Sequence, residues 1–135
     1  MRGNNLWYLD SGCSRHMTGN SKLFLSLKAM DGGFVTFGDD NKGTFTGIGK
    51  VGKSQNHYVD DVCLVNGLKH NLLSISQLYY KGNTVEFTTK HCNIIDTHSG
   101  KITLKGHRHN NVYKIDLCSI QDDKLTCLSV VDEDP

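Results

Sequence analysis

The sequence lacks the features that would assign it at once to several large classes of protein. Its net charge is only +1, from 15 basic and 14 acidic residues. No strong field therefore points to nucleic acid as a partner. No apolar run approaches the roughly 20 residues of a membrane-spanning helix, so we expect no membrane partner. With 135 residues, the chain has room for one domain and a tail.

The cysteines do not form a disulfide or zinc-finger framework. There are five, an odd number, and no two of them are spaced as a CxxC pair: Cys13, Cys63, Cys92, Cys118 and Cys127. Free thiols are typical of proteins in a reducing compartment. We therefore expect an intracellular, cytoplasmic protein.

Seven histidines leave a metal site to be considered. His91 and Cys92 with His98, or His107 with His109, are the candidate ligands. None of these spacings matches a zinc finger or a zinc knuckle. We therefore expect no metal and no other cofactor.

Short apolar segments alternate with glycine- or asparagine-containing turns along most of the chain, which is typical of a β-rich domain. We expect residues 1–5 to be a leader and residues 6–90 to form the core of the fold. Residues 91–117 read as a further β-rich segment packed on that core. Residues 118–135 read as a linker or tail.

One hairpin and one helix stand out. Phe34–Phe37, the polar turn Gly38–Gly43 and Thr44–Val51 predict a β-hairpin, in which Gly47 and Gly49 indicate a bulge or a close backbone approach. Apolar residues at a spacing of three predict a helix over Asn71–Tyr79.

The segment Leu6–Leu9 is apolar and runs directly into Asp10, Ser11 and Gly12. A bare Asp-Ser-Gly is most simply a strand end at which Asp caps its own backbone in an Asx turn. The preceding apolar run instead places the Asp10 carboxyl at the rim of a core. If two identical chains met there, their carboxyl groups would hold one proton between them, as in the aspartic-protease dyad that is the standard example of this effect. The sequence contains no second Asp-Ser-Gly, so one chain could supply only one such acid.

Other catalytic groupings are less well supported. Cys13 and His16 lie three apart without an evident third group, and Ser11 lacks a Gly-x-Ser-x-Gly elbow. In the adjacent acids Asp39–Asp40 and Asp60–Asp61, neighbouring side chains would point to opposite faces of a strand, so turn chemistry or solvation is the better interpretation.

Three blocks carry a family resemblance. "WYLDSGCSRHMTG" resembles the protease segment of copia-type retrotransposon polyproteins, which are retroviral-type aspartic proteases. "LKHNLLSISQLYYKGNTVEF" is similar to the segment that follows the flap in that family, with Lys69-His70 replacing a glycine usual in retroviral enzymes. "TKHCNIIDTHSGKITLKGHRHNNVYKIDL" resembles the region between protease and integrase.

The resemblance implies a retropepsin-like closed β-barrel with one main helix, acting as a homodimer on a Gag-Pol polyprotein in the virus-like particle of a retroelement. It implies Asp10 as the catalytic acid, and Ser11 and Gly12 as its supporting turn. It also implies a flap that closes over the substrate. The flap candidates are Gly38, Asp39, Asp40, Asn41, Lys42 and Gly43.

Two further hypotheses compete with an endopeptidase. One is a retropepsin-like module that dimerises or binds without cleaving. The other is a β-rich connector before an integrase, which accounts for the chain from about residue 90 but leaves the Asp10 turn unexplained.

Overall fold

The computed structural model describes residues 6–37 and 41–117. In this part of the chain, eleven strands and one α-helix form: β1 (Leu6–Asp10), β2 (Met17–Thr18), β3 (Phe24–Ala29), β4 (Phe34–Phe37), β5 (Asn41–Ser54), β6 (His57–Asn66), β7 (Asn71–Ser74), α1 (Ile75–Tyr80), β8 (Asn83–Phe87), β9 (His91–Asp96), β10 (Ile102–His109) and β11 (Val112–Asp116). The prediction of a mostly β protein with one main helix is confirmed.

All eleven strands belong to one sheet. Its order is β3-β5-β6-β2-β7-β1-β11-β10-β9-β8, and β4 pairs with β5 beside this path. The end strands β3 and β8 do not pair with each other in the described part of the chain. The expectation of a closed barrel is therefore not met by the strand pairing, which follows an open path.

Strand β1 lies in the middle of this sheet. It pairs in parallel with β7, and in this register Asp10 stands opposite Ser74. On its other side it pairs antiparallel with β11, with Trp7 opposite Ile115. The first residues of β1 are thus paired on both sides, and the pairing with β7 continues to the carboxyl end of the strand and fixes the position of Asp10.

The predicted hairpin is confirmed, with a correction to its turn. β4 and β5 pair antiparallel, with Thr36 opposite Lys42 and Phe37 opposite Asn41. Asn41, Lys42 and Gly43 therefore belong to strand β5 and not to the turn, because backbone pairing with β4 extends the strand toward its tip. The remaining flap candidates Gly38, Asp39 and Asp40 lie outside the described residues.

The two glycines singled out in the second hairpin arm behave as predicted. The register between β5 and β6 shifts between Phe45 and Gly47 and again between Gly49 and Val51, which marks bulges or irregularities. A Cβ added at Gly49 would collide with the carbonyl oxygen of Ser26 on β3. Register irregularities and a close backbone approach both occur in this arm, which pairs with the three strands β3, β4 and β6.

The predicted helix over Asn71–Tyr79 begins too early. Asn71–Ser74 form strand β7, and the helix spans Ile75–Tyr80. Ser74 caps the helix, since its side chain accepts a hydrogen bond from the backbone N–H of Gln77. Parallel pairing with β1 takes the preceding residues into the sheet, which overrides their helical spacing. No helix in the described ranges is long and apolar enough to span a membrane.

The main hydrophobic core joins both halves of the chain. Trp7 on β1 and Leu73 on β7 are fully buried in the same cluster as Ile94 on β9 and Ile115 on β11. The β-rich segment 91–117 thus contributes to the same core as the N-terminal strand. A second cluster forms around Met17, Cys63 and Val65.

We expect Ile94→Ala to reduce the free energy of unfolding by about 2–5 kcal/mol, because Ile94 has no exposed surface and the substitution leaves a cavity. Chemical denaturation of the full chain measures this. Ile102→Ala on neighbouring β10 is the matched control, since Ile102 is 39% exposed and should cost under about 1 kcal/mol. Equal effects of the two substitutions would contradict a core that includes β9.

Candidate active site

Asp10 ends strand β1 and is partly buried. Its Oδ1 accepts a hydrogen bond of 2.6 Å from the backbone N–H of Gly12, which forms the expected Asx turn. A Cβ at position 12 would lie 3.2 Å from the same oxygen, so glycine leaves the carboxylate room. Ser11 between them is exposed. The turn therefore presents the Asp10 carboxyl at the end of an ordered strand.

The loop after Asp10 is fastened to the start of the helix by buried hydrogen bonds. The Ser74 backbone N–H donates to His16 Nδ1 at 2.9 Å, and the Ser74 hydroxyl donates to the Cys13 carbonyl at 2.8 Å. The His16 backbone N–H donates to Gln77 Oε1 at 2.8 Å. These contacts join residues about 60 positions apart and fix the loop relative to β7.

Sequence reasoning did not identify His16, Ser74 and Gln77 as members of this network. A signal for two of them was present, since Ser74-x-x-Gln77 matches the Ser-x-x-Gln pattern of a capping box. In the structure the Gln77 side chain turns to His16 instead of the cap backbone. No local pattern could reveal the histidine, because its partners come from the distant β7–α1 junction.

Burial lowers the pKa of His16 from 6.5 to about 3. The charge of Asp61 opposes this shift and that of Lys81 adds to it, and these two side chains form a salt bridge of 2.7 Å. His16 is therefore neutral at physiological pH. Its Nδ1 is free to accept the Ser74 N–H only in that state.

The same bonds argue against a thiol nucleophile formed by Cys13 and His16. His16 Nδ1 already accepts from Ser74. Burial, with a further contribution from the charge of Asp10, raises the pKa of the Cys13 thiol to about 11. Burial also raises the pKa of Cys63, against an opposing effect of the nearby Arg15. Neither thiol is activated.

A groove of 890 Å³ opens beside Asp10. Gly12 and Cys13 line the groove beside Asp10, whereas Ser11 does not line it. The β4–β5 hairpin lines it with Thr36 and Lys42. Its apolar lining comes mostly from the second core cluster: Met17, Val35, Phe45, Val65, Leu68 and Leu72. Asp10 and the hairpin thus face one shared space.

The groove also contains residues that were not predicted as part of the site. Lys69 and His70, at the point where this chain departs from the retroviral pattern, line it together with Arg15. The departure itself was visible in the sequence. Its position in the groove was not, because it depends on the path of the loop between β6 and β7.

Other predicted groupings lie apart from this site. Asp60 and Asp61 have separate contacts: Asp60 Oδ1 accepts from the Asp61 backbone N–H at 2.9 Å, and Asp61, whose backbone is left-handed with φ of 56°, forms the salt bridge with Lys81. The pair Asp39–Asp40 lies outside the described residues. Among residues 6–37 and 41–117, no three His, Cys, Asp or Glu side chains are grouped so that they could hold a metal ion.

The lowered pKa of His16 predicts acid-sensitive stability. The unfolded chain binds a proton near pH 6.5 and the folded chain only near pH 3, so this contribution is complete above pH 6.5 and is lost as the pH falls toward 3. The free energy of unfolding should fall by up to about 1.4 kcal/mol per pH unit in that window. Denaturation curves between pH 4 and 7 measure it.

His16→Asn should flatten this pH dependence, because Asn Oδ1 is able to accept the Ser74 N–H but does not titrate. His107→Asn is the control, since His107 is exposed on β10. An unchanged slope in His16→Asn would show that other groups cause the acid sensitivity.

Comparison with known proteins bears on the origin of this fold. The family model described as "Pol polyprotein, beta-barrel domain" matches residues 7–83, which include Asp10, the β4–β5 hairpin and the helix. No curated protein and no solved structure matched the chain. The family match covers more than half of the 135 residues. The chain therefore belongs to the Pol polyprotein beta-barrel domain family and is a fragment of a retroelement polyprotein.

Proposed function

We propose that this chain is the aspartic endopeptidase of a copia-type retrotransposon, followed by the start of the pre-integrase region, and that it cleaves its own Gag-Pol polyprotein in a cytoplasmic virus-like particle. The observation that carries the proposal is that the Asp10 carboxyl and the β4–β5 hairpin line one groove. Membership of the Pol family supports a polyprotein substrate.

The active enzyme is a homodimer in which each chain contributes one Asp10 across a two-fold axis. Two carboxyl groups at that seam share one proton, because like charges so close together cannot both ionise. The ionised Asp10 removes a proton from a water molecule, and the oxygen of that water attacks the scissile carbonyl carbon. The protonated Asp10 donates its proton to the carbonyl oxygen, which gives a tetrahedral diol. The Asp10 that took the water proton then donates it to the amide nitrogen while the other Asp10 takes a proton from a diol hydroxyl, so that the C–N bond breaks, the amine leaves and the pair again holds one proton. The reaction uses no metal or other cofactor.

The β4–β5 hairpin acts as the flap in this proposal. Its strands already border the groove, and Phe34 at the start of β4 is 82% exposed. Its arm β4 pairs with β5 alone among the described strands, and movement of this arm would let a peptide enter and would then cover it. Closure from both subunits would exclude bulk water from the reacting carbonyl.

One observation favours the rival hypothesis of a module that dimerises or binds without cleavage. The bond from the Gly12 N–H gives Asp10 a structural role as the acceptor of an Asx turn. That role requires no catalysis by Asp10. The two hypotheses therefore predict different effects on cleavage when Asp10 is replaced by a residue that keeps the turn.

Asp10→Asn makes this distinction. The asparagine Oδ1 still accepts the Gly12 N–H, so the turn should persist, while the shared proton and the general base are lost. We expect cleavage of the parent polyprotein to slow by at least about 100-fold, since general acid–base catalysis contributes about 10²–10⁴. Rates are measured by peptide mapping of the polyprotein against time.

Asp31→Asn is the control, because Asp31 is exposed and does not line the groove. It should cleave at the wild-type rate. No cleavage by a folded, dimeric wild-type chain would favour the silent module. Equal cleavage by wild type and Asp10→Asn would show that Asp10 is not the catalytic acid.

A second prediction concerns assembly. Because one chain carries a single Asp-Ser-Gly, specific activity should fall when the enzyme is diluted below the dissociation constant of the dimer. Sedimentation equilibrium and activity measured over the same concentrations should give the same midpoint. Constant specific activity from a monomeric species would contradict the dyad.

A further inference from the structure

The charges around the groove are not balanced as they are over the whole chain. The whole chain contains 15 basic and 14 acidic residues. Among the described residues that line the groove, Asp10 is the one carboxylate, whereas Arg15, Lys42 and Lys69 are basic. This excess is local, and it lies next to the proposed catalytic acid.

Two of the cations lie on neighbouring segments of the fold and line the same groove. A Cβ added at Gly67 would lie 3.5 Å from the Lys42 carbonyl oxygen, so the start of β5 touches the loop after β6. Two residues after Gly67 comes Lys69, whose side chain, like that of Lys42, is exposed. Arg15 lies beside the thiol of Cys63.

The loop that carries Lys69 is held on both sides. The Leu68 backbone N–H donates to the Val65 carbonyl at 3.2 Å, which closes a turn. The imidazole of His70 packs on the ring of Tyr8, with the ring centroids 5.1 Å apart. Asn71 then enters the sheet as the first residue of β7. Lys69 is therefore presented toward the groove by an anchored loop.

Apolar surface borders this cationic end. Phe45, Leu68 and Leu72 line the groove and belong to one packed cluster. A bound peptide would place an apolar side chain on this surface and the next polar side chain near the two lysines. Most of the apolar lining is aliphatic, whereas nucleic-acid bases stack on aromatic side chains, so the lining favours a peptide.

We propose that Lys42 and Lys69 form a specificity site, the cationic end of the groove, which selects an acidic side chain next to an apolar one in the substrate peptide. This inference rests on the proposed function and specifies its substrate class. Opposite charges at a partly exposed site attract each other modestly, and salt weakens the attraction. Asp39 and Asp40 precede β5 in the sequence and lie outside the described residues. Peptide binding therefore measures the combined effect of all the charges at this end of the groove.

The test uses the full chain with Asp10→Asn and fluorescent peptides that differ only in Glu, Gln or Lys beside an apolar pair. Fluorescence anisotropy at low salt should show the Glu peptide bound about 3- to 10-fold more tightly than the Gln peptide, and the preference should shrink at high salt. Adding Lys42→Glu and Lys69→Glu together should reverse the order and favour the Lys peptide, because both cations of this end become anions. Adding Lys101→Glu, at an exposed residue outside the groove, should change nothing.

Equal binding of the Glu and Gln peptides, no peptide binding, or an unchanged order in the protein with both Lys42→Glu and Lys69→Glu would overturn the specificity site. Displacement of the Glu peptide by a much lower concentration of a single-stranded oligonucleotide would also overturn it, in favour of nucleic acid. Cleavage assays with the wild-type chain separate the two proposals. Charge-selective binding without cleavage would support the specificity site and contradict the protease. Cleavage that does not depend on the charge of the peptide would support the protease and contradict the specificity site.

Discussion

The parallel pairing of β1 with β7 is the constraint on which the candidate site depends. It places Asp10 opposite Ser74, and Ser74 both caps the helix and bonds to His16 and Cys13 in the loop that follows Asp10. A parallel pair cannot be joined by a tight turn and needs a long connection. Here that connection is residues 11–70, which contain the hairpin and the loop of Lys69. The pairing that fixes the acid therefore also places the groove around it.

Buried polar groups maintain this arrangement, and one of them, His16, must stay unprotonated for the arrangement to persist. The His16 imidazole is useful as an acceptor only while it is neutral, and burial keeps its pKa far below the usual value. An aspartic dyad, in contrast, works only while one proton remains on the pair. The proposed enzyme thus needs one proton on its Asp10 pair, whereas a proton on His16, only six residues later, would destabilise the fold. Its working range would lie where both conditions are satisfied.

Local patterns in the sequence were enough to predict a β-rich domain and the β4–β5 hairpin, because short apolar segments and glycine-bounded turns act locally. The bulged arm was likewise visible at Gly47 and Gly49. The helix start was misplaced because the apolar spacing of Asn71–Ser74 fits a helix as well as a buried strand. Only pairing with β1, some 65 residues away, decides between them. Strand β2, with two residues, is too short to show any period.

The Asp10 turn could be predicted from the sequence because three adjacent residues and the apolar run before them are enough to indicate it. The rest of the site could not, since each of its parts lies on a different element. The support for β1 shows the same limit most clearly. Its outer neighbour is β11, and Ile115 of that strand packs in the same cluster as Trp7, more than 30 residues beyond the last residue matched by the family model. Without β11, β1 would become an edge strand with unpaired backbone groups, and Trp7 would lose part of its cover. The region that resembles a pre-integrase segment is thus structurally part of the support for the candidate catalytic acid.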